Sequence, residues 1–292
     1  MNANTLLAQA VTFLFVPGDR PDRLHKALAS HADAVIVDWE DAVSPAAKDS
    51  ARLHLAAIWP ALPGWQHPRL LVRINAAGTP WHMDDLAAVA ALARQGLGAV
   101  CVPKAESVAA LQAPAHHLGP HGALLPLVES GAGLDALDML AKTPQVLRLA
   151  FGHLDFQVDL GLDCGEEETE LAPVRLALVR ASRRAGLPAP VDGVTADASD
   201  AARVQRDAVR ALRSGFGGKL CIHPAQLAPV RDAFAPTPAQ LDWAQRVHAG
   251  FANAQGGVFM LDGRMVDMPV LRQAERVLQR ARSPYPPPAS AL

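Results

Sequence analysis

The sequence has few of the features that mark specialised chains. Its three cysteines, Cys101, Cys164 and Cys221, are odd in number and far apart. That excludes a disulfide framework and a zinc spacing, and leaves buried, reduced thiols in a cytoplasmic protein as the expectation. Aromatic residues make up 5% of the 292 residues and the formal net charge is −2. Neither a base-stacking surface nor a basic face for nucleic acid or an anionic membrane is present. The apolar run near the start is cut by Pro17-Gly18 and has no basic stretch before it, so neither a signal peptide nor a membrane span is expected. No Gly-rich dinucleotide fingerprint follows that run either.

What is present is an ordinary globular composition, half apolar and 19% charged, in a chain long enough for one large core or two modest ones. Short apolar runs recur at 11–16, 34–37, 69–75, 99–104, 124–129, 147–151, 191–194 and 218–222, separated by helical patterns. Runs apolar on both faces read as parallel strands buried under helices. Eight strand–helix repeats over this length predict an α/β fold of the (β/α)₈ TIM-barrel type, with a doubly wound open sheet as the runner-up. After Pro238 the pattern changes to a helix, a hairpin turning at Asp262-Gly263 and a last helix. The expected organisation is therefore a catalytic barrel over 1–235, a small helix–hairpin–helix lid over 236–282 and a disordered, Pro-rich tail over 283–292.

In a barrel the chemistry sits at the C-terminal ends of the strands. The polar residues there are Arg20 and Arg23, then Asp38, Glu40 and Asp41, then Arg73 and Asn75, Lys104, Glu129, Asp155, Asp192 and His223. Glu129 and Asp155, past the fifth and sixth strands, are the expected ligands of one Mg²⁺, with Mn²⁺ as the alternative, because two hard carboxylates leave positions for water and substrate oxygens. Asp155 and Asp159 are expected in a loop, Asp159 fixing it and Gly161 allowing its turn. His223, just before a proline, reads as an orienting residue. A guanidinium at Arg73 can bind a carboxylate or steady an oxyanion. Arg20, Arg23 and Lys26 form either a phosphate site or a solvated helix face.

Seven motifs occur in order: Phe15-Val16-Pro17-Gly18-Asp19-Arg20-Pro21, Asp38-Trp39-Glu40-Asp41-Ala42-Val43, Val72-Arg73-Ile74-Asn75, Val128-Glu129-Ser130, Phe151-Gly152-x-x-Asp155-x-x-x-Asp159-Leu160-Gly161, Gly218-Lys219-Leu220-x-Ile222-His223-Pro224, and Asp262-Gly263-Arg264-Met265-Val266-Asp267-x-Pro269. Through them the chain resembles the citrate lyase beta-subunit-like family of the HpcH/HpaI aldolase/citrate lyase superfamily, with its malyl-CoA and citramalyl-CoA lyases. The resemblance implies a Mg²⁺-dependent carbon–carbon lyase (an oxo-acid lyase) acting on a 3-hydroxy-acyl-CoA of the malyl, citramalyl or citryl type, usually as a homotrimer or hexamer. The products would be acetyl-CoA and a 2-keto acid. It makes Glu129 and Asp155 metal ligands, Arg73 a substrate-binding arginine, and Asp267 the acid/base that reaches a neighbouring subunit's barrel. Arg20 and Lys26 would meet the phosphates of the thioester carrier. Glu129-Ser130 stands where the family has Glu-Thr. Trp39 stands where it has Leu and is expected, with the residues around Pro103 and Val194, to shape the keto-acid pocket. Two alternatives stay open at this point: a citrate lyase beta subunit working on an acyl-carrier protein, and a malyl-CoA-type thioesterase.

Overall fold

The computed structural model describes residues 3–254 and 256–281. The expected disordered tail at 283–292 lies outside the described residues. Eight strands form one closed parallel barrel in sequence order: β1 (Thr12–Pro17), β2 (Ala34–Asp38), β3 (Leu70–Arg73), β4 (Ala99–Val102), β5 (Ala123–Val128), β6 (Ala150–Phe151), β7 (Val191–Asp192) and β8 (Gly218–Cys221). Pairing of β1 with both β2 and β8 closes the ring. The helices around it are α1 (Ala3–Gln9), α2 (Pro21–Ala29), α3 (Lys48–Ile58), α4 (His82–Ala93), α5 (Val108–Leu118), α6 (Gly131–Asp135), α7 (Leu137–Lys142), α8 (His153–Leu160), α9 (Ala172–Arg184), α10 (Ala201–Arg213) and α11 (Leu227–Phe234). No helix among the described residues is long and apolar enough to cross a membrane.

Side chains alternate along each strand, so every second residue faces the interior. Phe13, Ala34, Ile36, Leu71, Ala99, Cys101, Leu125, Leu127, Ala150, Val191 and Leu220 form that inner core, joined by Leu7 of α1 at the N-terminal end. Two features there escape the strand pattern. The short α1 has no strong periodicity, yet Leu7 is buried. Arg148, inside what reads as an apolar run, is also buried. Its guanidinium donates to the carbonyls of Leu7 (3.1 Å), Ala10 (2.7 Å) and Ala189 (2.8 Å), so the charge is spread over backbone acceptors rather than left bare.

The sequence places Asp155 and Asp159 in a loop; the structure places both on α8. Polar and apolar residues alternate across 153–160 and hide the helical period. The helix is held by tertiary packing, Phe156 meeting Phe151 edge-on with ring centroids 5.5 Å apart. It ends at Gly161 in the left-handed conformation, φ 64°, which a glycine adopts without strain.

A boundary between two compact units falls between Ala233 and Phe234. The second unit contains α12 (Pro238–Asn253), an antiparallel hairpin of β9 (Phe259–Leu261) and β10 (Arg264–Val266), and α13 (Met268–Ala281). Asp262 and Gly263 both take positive φ, 49° and 75°, the geometry a two-residue hairpin turn demands. Ala244, Val247, Val266, Leu271, Ala274 and Val277 form its own core. Thr237 and Gln240 cap α12 reciprocally.

Candidate active site

Strand alternation builds the site. Ile36, Leu71 and Leu127 face the barrel interior, so two residues further along the same face delivers Asp38, Arg73 and Glu129 to the C-terminal rim. Asp38 and Arg73 are also register partners on adjacent strands. The pair is bidentate: Arg73 Nε donates to Asp38 Oδ1 at 2.8 Å and Nη2 to Oδ2 at 2.6 Å. Asp38 further accepts from the backbone amides of Glu40 (2.8 Å) and Ala42 (3.1 Å). Two of the three guanidinium nitrogens are thus committed to Asp38. Nη1 is left facing Glu40 at 3.0 Å and Asp41 at 3.4 Å, while the Phe15 ring lies 4.9 Å below.

The loop that carries Glu40 and Asp41 is held from behind. Lys48 Nζ is buried and donates to the carbonyls of Trp39 and Glu40, both at 2.7 Å. Asn75 Nδ2 donates to the Trp39 carbonyl at 2.9 Å and to Asp85 at 2.7 Å. Asp85 is paired in turn with Arg52 at 2.7 Å.

Glu129 is 4% exposed. Its Oε1 accepts from the Lys104 amide at 2.7 Å, and Lys104 adopts φ 44° to present that amide. On its other side lies Gly152, where a Cβ would come within 2.6 Å of Oε2; only glycine leaves room for the carboxylate. Burial pushes the Glu129 carboxyl up to about 7, with the Asp155 charge adding to the rise and the Lys104 amide opposing it. A cation bound by both carboxyls would offset the burial of Glu129 and the repulsion from Asp155. Asp155 sits exposed in the first turn of α8. Among the described residues no cluster of three or more His, Cys, Asp or Glu side chains could hold a metal by itself. Glu129 and Asp155 could together supply two carboxylates with the remaining positions open, a donor chemistry that fits Mg²⁺ and does not fit a thiol- or imidazole-seeking metal.

The other expected residues are placed as follows. Arg20 is exposed and turned to Asp22 at 3.2 Å, and Lys26 is exposed in the last turn of α2. Among the described residues neither pairs with the rim carboxylates. His223 accepts the Ala225 amide through Nδ1 at 3.1 Å, a capping contact. Asp159 accepts the Gly131 amide at 2.8 Å and so ties α8 to the start of α6. Asp267 belongs to the second unit, half-buried, with Oδ1 accepting the Val270 amide at 3.2 Å at the start of α13. Trp39 is fully buried under Gly18, where a Cβ would approach its Cδ1 to 2.7 Å. Any influence it has on the site is exerted through packing.

The sequence reading missed a second buried array behind α8, made by His153, Glu168, Arg175 and Asp192. One signal for it was available. Arg175 falls on the face of α9 that buries Val174, Leu178 and Ala181, and an arginine on an apolar face calls for a buried acid.

Glu40 yields a prediction in the first site. Burial pushes its carboxyl up to about 8; the Arg73 charge opposes the rise, and Asp41, Glu129 and Asp38 add to it. The folded state then holds this proton more tightly than the unfolded chain. The associated stability is present below the unfolded value of 4.5 and lost as pH rises through about 8. In EDTA, the melting temperature of Glu40→Gln minus that of the parent becomes steadily more positive between about pH 5 and about pH 9. A difference that does not change with pH sinks the assignment.

Comparison with known proteins places this rim in context. The model of the HpcH/HpaI aldolase/citrate lyase family matches residues 11–224. The citrate lyase subunit beta-like protein of Deinococcus radiodurans is 34% identical over 294 residues, covering 95% of this chain and 99% of the relative. The mitochondrial citramalyl-CoA lyase of Homo sapiens is 28% identical over 293 residues, covering 92% and 85%. Among solved structures, CitE from Mycobacterium tuberculosis in complex with magnesium, acetoacetate and coenzyme A is similar with a TM-score of 0.79 and 34% identity, covering 94% of this chain and 99% of that one.

Proposed function

The chain belongs to the HpcH/HpaI aldolase/citrate lyase family, and from that premise we propose a Mg²⁺-dependent carbon–carbon lyase that cleaves a 3-hydroxy-acyl-CoA to acetyl-CoA and a 2-keto acid. The observation that carries this reading is the buried Glu129 carboxyl, held by the Lys104 amide on the same rim as the Asp38-oriented Arg73. Magnesium in the similar CitE structure supports the cation. Glu129 and Asp155 would hold it, and it would supply a Lewis acid for the carbinol oxygen of the substrate.

The chain's own groups do the rest. Asp38 fixes the guanidinium plane, so Arg73 presents Nη1 without a reorganisation cost where negative charge develops on the thioester oxygen. The Phe15 ring beneath keeps water off that face. Asp267 would deliver a proton to the α-carbon of the released acyl group, or take one in the reverse direction. Arg20 and Lys26, free of the rim acids, would meet the phosphates of the carrier. In this reading Asp267 comes from a neighbouring copy in a homotrimer or hexamer, and the free thiols fit work in the cytoplasm.

Assay of the purified chain with malyl-, citramalyl- and citryl-CoA tests the reading. The expected products are acetyl-CoA and the matching keto acid, with turnover abolished by EDTA and restored by Mg²⁺ or Mn²⁺. Free CoA without acetyl-CoA would make the protein a thioesterase. Turnover only with added carrier protein would make it a subunit of a larger lyase. The subunit arrangement has its own test. Asp267→Asn and Glu129→Gln are each inactive alone, and exchange of their subunits restores measurable turnover. No recovery under verified exchange places Asp267 with its own barrel.

A further inference from the structure

The first turn of α8 carries Asp155, yet that turn lacks the usual device for fixing a helix start. Its N-cap is Gly152, which has no side chain to accept an orphan amide. Nor can a capping residue be substituted, because a Cβ there would strike Glu129. The position of Asp155 must be set from another direction.

His153, the first residue of α8, supplies it. It is 3% exposed and pressed against Gly193 so closely that a Cβ there would lie 2.1 Å from Nδ1. Its Nε2 is 3.5 Å from Glu168 Oε1. Glu168 is itself buried and sits in the left-handed conformation, φ 47° and ψ 45°, a strain of order 1 kcal/mol for a residue that is not glycine. Its other oxygen accepts from Arg175 Nη2, and from Arg210 Nη2 at 2.9 Å. Arg175 continues to Asp192 at the end of β7 (3.1 Å) and lies over the Phe151 ring at 5.7 Å. Strained backbone, three arginines (Arg203 Nη2 lies 4.0 Å from Oε1) and a barrel strand thus converge on one carboxylate, which also meets the first residue of α8.

We propose that Glu168 is a positioning residue for Asp155, acting through His153 to fix the first turn of α8 where Gly152 cannot cap it. The inference rests on Asp155 being a metal ligand, and metal affinity is therefore its direct readout. Partners that orient metal ligands typically change affinity by about 10- to 100-fold when removed.

The experiment is Mn²⁺ binding to the full chain, followed by electron paramagnetic resonance and calorimetry, with melting curves in parallel. Glu168→Gln is expected to weaken Mn²⁺ by about 10- to 100-fold. His153→Phe, which keeps the ring volume and removes Nε2, is expected to do the same. Asp33→Asn is the control. Asp33 pairs with Arg231 at 2.9 Å and accepts the Val11 and Thr12 amides, and it shares no partner with Glu168 or His153. It is expected to cost stability while leaving Mn²⁺ affinity within about twofold of the parent. Asp155→Asn checks the underlying reading and is expected to abolish tight binding. If Asp155→Asn loses Mn²⁺ but Glu168→Gln and His153→Phe bind normally, the positioning role is wrong and the metal site stands. Equal weakening by Asp33→Asn reduces Glu168 to general stability and also overturns the proposal. Unchanged binding by Asp155→Asn overturns both.

Discussion

Glu129→Gln is expected to fold as well as the parent and to lose Mg²⁺-dependent turnover by on the order of 10³-fold. The substitution is isosteric, so it respects the space bounded by Gly152 and keeps an oxygen for the Lys104 amide. What it removes is the charge. Burial already disfavours that charge, holding the carboxyl at about 7, so an uncharged replacement does not destabilise the metal-free fold. Lewis-acid stabilisation of a developing oxyanion is worth several kcal/mol, and each ~1.4 kcal/mol is tenfold in rate; hence the thousandfold. Thermal melts with and without Mg²⁺ provide the check. The parent gains stability from saturating metal, and Glu129→Gln shows no such shift. Near-normal turnover at low Mg²⁺ would mean that Glu129 is not a ligand.

Arg73→Met is the second large effect, and it separates structure from chemistry. Removing the guanidinium leaves Asp38, 1% exposed, with two backbone amides and no ion-pair partner among the described residues. Breaking a buried pair from one side costs roughly 3–5 kcal/mol. Adding Asp38→Asn to Arg73→Met removes the stranded charge and keeps an acceptor for the loop amides, so the double variant recovers part of that stability. Catalysis is not recovered, because the Nη1 edge is gone. Chemical denaturation measures the first quantity and the CoA-thioester assay the second. A loss below about 1 kcal/mol in Arg73→Met would place the pair in the exposed class of ion pairs and contradict its burial.

The ease with which some features are read from the chain, and not others, follows from range. The hairpin turn at Asp262-Gly263 is legible because two adjacent residues must both adopt positive φ. The eight strands are legible because burial on both faces leaves a composition that survives in any tertiary context. Helix α8 is not, since its alternating residues carry no helical period and Phe156 is held by Phe151, five residues earlier but on another element. The burial of Trp39 is not legible for a related reason. Gly18, twenty-one residues earlier, provides the slot that buries it.

The sequence by itself determined which chemical groups stand at the barrel rim. Strand alternation is a local property, and once Ile36, Leu71 and Leu127 face inward, Asp38, Arg73 and Glu129 must follow two residues later. Only the tertiary structure decided what those groups do to one another. Arg73 meets an aspartate 35 residues away, Glu129 is shaped by a glycine on the next strand's turn, and α8 is fixed by a glutamate that local spacing does not mark. Such pairings arise when the closing of the β1–β8 ring brings distant strand ends into one low-dielectric rim, where a charge must find its partner or change its proton affinity.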